Sequence, residues 1–201
     1  YQKREWNPKW ENAFTPALCN RIDRNTGGIV IAAKDAETLR VINEKIRDRE
    51  MDKRYLCITA GRPKKPEGRV ECFLLKDEKK KQVSVYHKPI PGGKTAITDY
   101  KVLETRGELS LVEIGLETGR THQIRVHFAS IGHPLAGDDL YGGSRARIGR
   151  QALHCAKQTF WVPRCERMPD GIRIEVPVDE TTLRPVTVES PLPEDMTKLF
   201  V

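Results

Sequence analysis

Apolar positions fall along this chain in two rhythms. KRYLCITA (53–60), RVECFLLK (69–76) and QVSVYHK (82–88) are rich in β-branched and aromatic residues and are separated by Gly, Pro and Lys clusters, which predicts three strands. TAITDYKVLET (95–105) and ELSLVEIGL (108–116) alternate apolar and polar residues around Arg106-Gly107, a hairpin signal. GIVIAA (28–33) reads as a short buried strand, after which Asp35 is placed to cap a helix carrying Leu39, Ile42 and Ile46 on one stripe. TGRTHQIRVHFASIG (118–132) changes to helical spacing, with Ile124, Phe128 and Ile131 on one face and Gly132 as the stop before Pro134. QALHCAKQTFWV (151–162) and IRIEVPV (172–178) predict two more strands, and PEDMTKLF (193–200) a last helical turn or two. The first eighteen residues follow neither period and read as an irregular lead-in. Strands dominate and helices interrupt them, so the expected class is α+β: a mostly antiparallel mixed sheet flanked by a few helices.

Composition narrows the setting. At 201 residues, with 38% hydrophobic and 31% charged residues, the chain has the size and balance of one globular domain. No apolar run approaches the roughly 18 residues of a membrane span, and no leader pattern opens the chain, so a cytoplasmic protein is expected. The net charge of +7 suits a polyanionic partner, with a merely soluble basic surface as the bland alternative. Cys19, Cys57, Cys72, Cys155 and Cys165 are scattered without a C-x-x-C pair and read as reduced core thiols. His122, His127, His133 and His154 lack the company of an H-E-x-x-H or a second ligand cluster, so no metal site is expected. KDEKKK (76–81) reads as a solvated turn.

Three islands carry candidate chemistry. In Asn20-Arg21-Ile22-Asp23-Arg24-Asn25-Thr26-Gly27-Gly28, one carboxylate lies between two guanidinium groups. Nearby positive charge favours its ionised form, so Asp23 is available as a nucleophile or base, or else as a salt bridge anchoring a loop. In Thr118 to His127, helical placement puts His122, Arg125 and Ala129 on one face and Gly119 at a helix N-terminus suited to phosphate, or simply makes an exposed polar face. Gly132 to Gly142 is a glycine-rich loop whose Asp and Tyr residues bond locally.

In this order the islands resemble the pseudouridine synthases of the RluA type, which isomerise uridine in bacterial ribosomal and transfer RNA. The catalytic-loop pattern H-R-L-D-R-x-T-S-G is similar to Asn20 through Gly28, and K-x-Y-L-A to Lys53 through Cys57. G-R-T-H-Q-I-R-V-H matches Gly119 through His127 without a substitution. G-H-P-L-x-G-D-x-L-Y-G fits Gly132 to Gly142, and the late L-H-A strand resembles Leu153-His154-Cys155. The resemblance implies Asp23 as catalytic nucleophile, Tyr55 as the aromatic residue that stacks on the target base, and Arg125 as the partner of the Asp23 carboxylate. It further implies that Arg21 or Arg24 occupies the space left by the target base, that Arg120 and His122 hold backbone or flipped nucleotide, and that no metal or organic cofactor takes part. Lys79, Lys80, Lys81, Arg145, Arg147 and Arg150 are candidate phosphate contacts.

Two positions depart from the pattern: Asn20 stands where His is usual and Gly27 where Ser is usual. They motivate an alternative, an inactive RNA-binding or RNA-chaperone module on the same fold. An unrelated carboxylate hydrolase is disfavoured, because no second Asp or Glu lies in the catalytic-loop motif. Family members carry strands with a K-P-x-G element ahead of this loop, and some an S4-type RNA-binding domain. Residues 1–18 supply neither, so 19–201 is expected to be the catalytic domain of a longer protein, acting as a monomer.

Overall fold

In a computed structural model, residues 14–163, 165–167, 173–175 and 183–200 are described. In chain order the elements are β1 (Ala17–Leu18), β2 (Gly27–Gly28), β3 (Ala32–Ala33), α1 (Ala36–Arg47), β4 (Met51–Ala60), β5 (Glu67–Asp77), β6 (Gln82–Tyr86), β7 (Lys94–Arg106) and β8 (Leu109–Leu116). There follow α2 (Gln123–Ser130), a 3₁₀ turn (Asp139–Tyr141), β9 (Leu153–Pro163), β10 (Cys165–Arg167), β11 (Arg173–Glu175), β12 (Leu183–Glu189), α3 (Glu194–Thr197) and a second 3₁₀ turn (Lys198–Phe200). The chain divides into two compact units, one holding 1–21, 30–52 and 158–188, the other 22–29, 53–157 and 189–201.

In the first unit, β1 and β3 pair antiparallel. The Asp35 carboxylate accepts from Thr38 N at 2.7 Å, the N-cap anticipated for α1, and Ile42 is the buried residue of its apolar stripe. Of the lead-in expected over 1–18, the first thirteen positions lie outside the described residues, and Ala17–Leu18 form β1. The strand expected over 172–178 is described only as β11, which pairs with β10.

The sheet of the second unit runs in the order β9-β4-β8-β7-β5-β6, with β2 added to β9 in parallel. The β4–β8, β8–β7, β7–β5 and β5–β6 pairs are antiparallel, which makes the class α+β as expected. The β7–β8 turn is Gly107-Glu108, one residue beyond the anticipated pair. The 78–81 stretch is the exposed turn between β5 and β6, tied by Lys79 N and Lys80 N to Asp77 Oδ1 at 2.9 Å each.

Register puts Tyr55 opposite Ile114 and Cys57 opposite Val112, so their side chains share one face of the sheet. That face packs with Ile124 and Phe128 of α2 and with Leu135, Leu153 and Cys155. Ile58 points to the other face, into a cluster with Leu109, Ile148 and Met196 of α3. The predicted strand over 28–33 is corrected: β2 and β3 are separate. Gly28 lies at φ +106°, and a Cβ there would fall 2.2 Å from the Cys155 carbonyl oxygen. The backbone therefore leaves β9 at a position only glycine tolerates.

Candidate active site

The second unit brings Asp23 to the face that carries Tyr55. Asp23 opens a turn closed by Thr26 N donating to Asp23 O at 3.0 Å, with Asn25 at φ 67°. β2 follows at once and pairs Gly27 and Gly28 with His154 and Cys155 of β9. The turn is clasped from the side. Gln151 Nε2 donates to Arg24 O at 2.6 Å and to Thr26 Oγ1 at 3.2 Å, and Arg150 Nη1 to Asn25 O at 3.3 Å. Arg150 also grips Asp195 through both carboxylate oxygens, at 2.7 and 2.8 Å. Expected as a phosphate contact, Arg150 instead spends its donors inside the unit.

The guanidinium that meets Asp23 is that of Arg125 on α2, with Nη1 3.8 Å from Oδ2. Arg24, its neighbour in sequence, has an exposed side chain, and so has Arg21. Among the described residues the Asp23 carboxylate accepts no hydrogen bond, and its side chain is 18% exposed. Arg125 is buried and forms a two-pronged pair with Asp138, Nε to Oδ2 and Nη2 to Oδ1, both at 2.7 Å. Burial works against its charge, but the hydrogen bonds and charge of Asp138, with the charge of Asp23, outweigh burial and raise its pKa. Tyr141 lies over the guanidinium with its ring centroid 5.1 Å from Cζ. Val83 N donates to the Tyr141 hydroxyl at 3.0 Å, and that hydroxyl is 2.8 Å from His122 Nδ1. Burial chiefly lowers the His122 pKa, which favours the neutral ring.

Tyr55 is 8% exposed and packed in the core beneath this group. Burial first, then Cys155 and the charge of Asp23, push its phenol to a higher pKa, so the ring is neutral.

α2 departs from expectation in two ways. It begins at Gln123 rather than near Thr118, because His122 takes a left-handed φ of 53°. Gly119 is thus outside the helix, and the phosphate-binding N-terminus expected there is not formed. Residues 118–121 are held by Gln123, whose Oε1 accepts from Thr118 Oγ1 at 2.7 Å and Arg120 N at 3.0 Å and whose Nε2 donates to Ile97 O at 2.9 Å. Nor is there an exposed polar face: Gln123 to Phe128 are all buried, whereas Ile131, placed on the apolar stripe, is exposed. His127 is fully buried with Nε2 3.0 Å from Cys72 Sγ. Burial lowers His127 to about 4 and raises Cys72 to about 11, so this is a neutral thiol–imidazole contact and not a nucleophilic ion pair. Cys57, Cys72 and Cys155 are buried and form no disulfide among the described residues, and Cys19 is half-buried; the Cys165 side chain lies outside the described residues.

Of the predicted site residues, Asp23, Arg125, His122 and Tyr55 come together, each of the last three within reach of the Asp23 charge. Arg120 is exposed, with Nε donating to Thr95 O at 3.1 Å. Sequence reasoning passed over Asp138, Tyr141 and Gln151. Asp138 and Tyr141 stood in the third island as local loop bonds, and nothing in their spacing ties them to Arg125.

A family model described as RNA pseudouridylate synthase matches residues 2–130. The chain belongs to the RNA pseudouridylate synthase family. A Bacillus subtilis protein named as an uncharacterized RNA pseudouridine synthase is 34% identical over 185 residues, covering 90% of this chain and 54% of its own length. Ribosomal large subunit pseudouridine synthase D of Borreliella burgdorferi is 36% identical over 133 residues, 66% of this chain and 40% of that protein. Such relatives agree with the RluA type suggested by the motifs. This synthase-family chain spans about half the length of the curated relatives it matches. In fold it is similar to human RNA pseudouridylate synthase domain containing 4, with a TM-score of 0.70 at 22% identity over 93% of this chain and 75% of that one. Among the described residues, no helix is long and apolar enough to cross a membrane.

Proposed function

We propose that this chain isomerises uridine to pseudouridine in structured cytoplasmic RNA, ribosomal or transfer, with Asp23 as the nucleophile and no cofactor. The observation that carries the reading is the Asp23 carboxylate itself: partly exposed, free of hydrogen bonds among the described residues, and 3.8 Å from a buried guanidinium. Such a group keeps its lone pairs available for attack. In the reaction the N1–C1′ bond breaks, C1′ bonds to C5, C5 loses its proton and N1 gains one. Asp23 attacks C1′ directly or otherwise labilises the glycosidic bond. Tyr55 offers a neutral aromatic surface to the base. His122 and the exposed Arg21, Arg24 and Arg120 serve the displaced nucleotide and its backbone.

Lys79, Lys80, Lys81, Arg145 and Arg147 are exposed and suit phosphate contact. The inactive-module alternative loses its motive, since both departures are accommodated. Asn20 Oδ1 accepts from Ile31 N at 2.8 Å, and Gly27 sits where a Cβ would lie 2.9 Å from His154 Nδ1. The test is tritium release from RNA labelled at uridine C5. The wild-type chain is expected to release it and Asp23→Asn to release none while still binding RNA; full turnover by that variant refutes the assignment.

A further inference from the structure

Arg125 stands between two carboxylates and treats them unequally. Both Asp138 oxygens take short bonds from its Nε and Nη2, whereas Asp23 receives only Nη1 at 3.8 Å, beyond hydrogen-bond length. A guanidinium is a planar fork, and committing one edge to a two-pronged pair dictates where the remaining nitrogen can lie. We infer that Asp138 is a positioning residue for the reaction assigned to Asp23: it holds Arg125 back, so that the guanidinium supplies charge to Asp23 without bonding to the oxygen that attacks. The inference rests on the proposed isomerisation.

The anchor is rigid. The Asp138 side chain has no exposure. Its backbone is fixed by Asp138 N donating to Leu135 O at 3.1 Å and by Gly143 N donating to Asp138 O at 2.7 Å. At Gly143 a Cβ would fall 1.9 Å from the Leu135 carbonyl oxygen, so the return of the loop over Asp138 requires glycine. Leu135 is bridged to Thr59 of β4. The Tyr141 ring caps the open face of the guanidinium, itself pinned by Val83 N and His122.

The charged and titratable groups facing Asp23 and Arg125 are therefore Asp138, Tyr141, His122 and Tyr55, with the charge of Lys76 reaching His122. Only Asp138 can restrain the guanidinium at two points. Were that restraint removed, the cation would move onto Asp23, the nearest free anion. It would stabilise the carboxylate and occupy the lone pairs that the nucleophile needs.

The test compares the wild type with Asp138→Asn and Asp138→Glu on an RNA in which the wild type forms pseudouridine. Asp138→Asn is expected to lower the single-turnover rate at saturating RNA by about tenfold or more, while RNA affinity changes by less than about twofold. The acidic limb of its rate–pH profile is expected to move to lower pH, because a closer cation keeps Asp23 ionised further into acid. Asp138→Glu keeps the negative charge and is expected to hold that limb in place. A crystal structure of Asp138→Asn is expected to show Arg125 within hydrogen-bond distance of Asp23.

An unchanged rate and profile, or Arg125 still held away from Asp23, overturns the inference. So does a rate loss matched by lost RNA affinity. If Asp138→Asn does not fold, Asp138→Glu decides: a displaced guanidinium with an undiminished rate overturns the inference. A wild-type chain without turnover would refute the proposed isomerisation instead, and the position of Arg125 in the variant crystal would still test the restraint.

Discussion

His127 makes the fold sensitive to acid, and the size of the effect follows from its surroundings. The imidazole is fully buried on α2, its Nε2 faces Cys72 and its Nδ1 has no partner among the described residues. Burial lowers its pKa from an ordinary 6.5 to about 4. Above pH 6.5 the ring is neutral in folded and unfolded chains alike, so it costs nothing. Between 6.5 and about 4 the unfolded chain takes up a proton that the folded one refuses, and stability falls as pH falls. At roughly 1.4 kcal/mol per pH unit, the full loss is about 3 kcal/mol, a large fraction of the roughly 5–15 kcal/mol typical of a domain.

The perturbation is His127→Gln, whose amide keeps hydrogen-bonding capacity toward Cys72 but does not titrate. Urea unfolding of both proteins from about pH 7.5 to about pH 4.5 measures the difference. The wild type is expected to lose about 2–3 kcal/mol more than the variant over that range. His122 and His154, also lowered chiefly by burial, contribute to both proteins and cancel in the comparison. Stability curves that stay parallel across the range would refute the reasoning, since the buried ring would then be taking up its proton as readily folded as unfolded.

Two further changes act on the loop that presents Asp23. Gln151→Ala removes the bonds to Arg24 O and Thr26 Oγ1, and is expected to lower the single-turnover rate by about tenfold with RNA affinity nearly unchanged, read by rapid-quench assay and filter binding. Gly28→Ala places a Cβ against the Cys155 carbonyl at a left-handed φ of 106°, and is expected to cost about 2 kcal/mol or more, measured by thermal or urea unfolding. A fully stable Gly28→Ala chain would mean that β2 is free to move off β9.

Much of the fold was legible because period-2 patterning and turn residues act locally. β4 to β8 lie where alternation and the Gly, Pro and Lys breaks put them, and Asp35 caps α1 as its position before the apolar stripe required. The failures share a cause. GIVIAA reads as one strand by composition, but pairing with β9 ends at Gly28 and pairing with β1 begins at Ala32, a division that no local propensity records. The start of α2 moved to Gln123 because that side chain bonds to Ile97 and Thr98, residues distant in sequence. Its Gln123 and Arg125 are buried because partners on other elements satisfy them.

The same division runs through the site. The order of the motifs by itself determined the family, and with it the roles expected of Asp23, Tyr55 and Arg125; the strand pattern determined the class of fold. Only the tertiary structure decided that Asp138 takes both short bonds of Arg125, that Tyr141 lies over its guanidinium, and that Arg150 clamps a loop. A hydrophobic period reports the neighbours a residue has along its own element. Coulomb energy and hydrogen-bond geometry depend on distance through space, and Asp23, Arg125 and Asp138 reach one another only after a turn, a helix and a loop have packed on the same sheet.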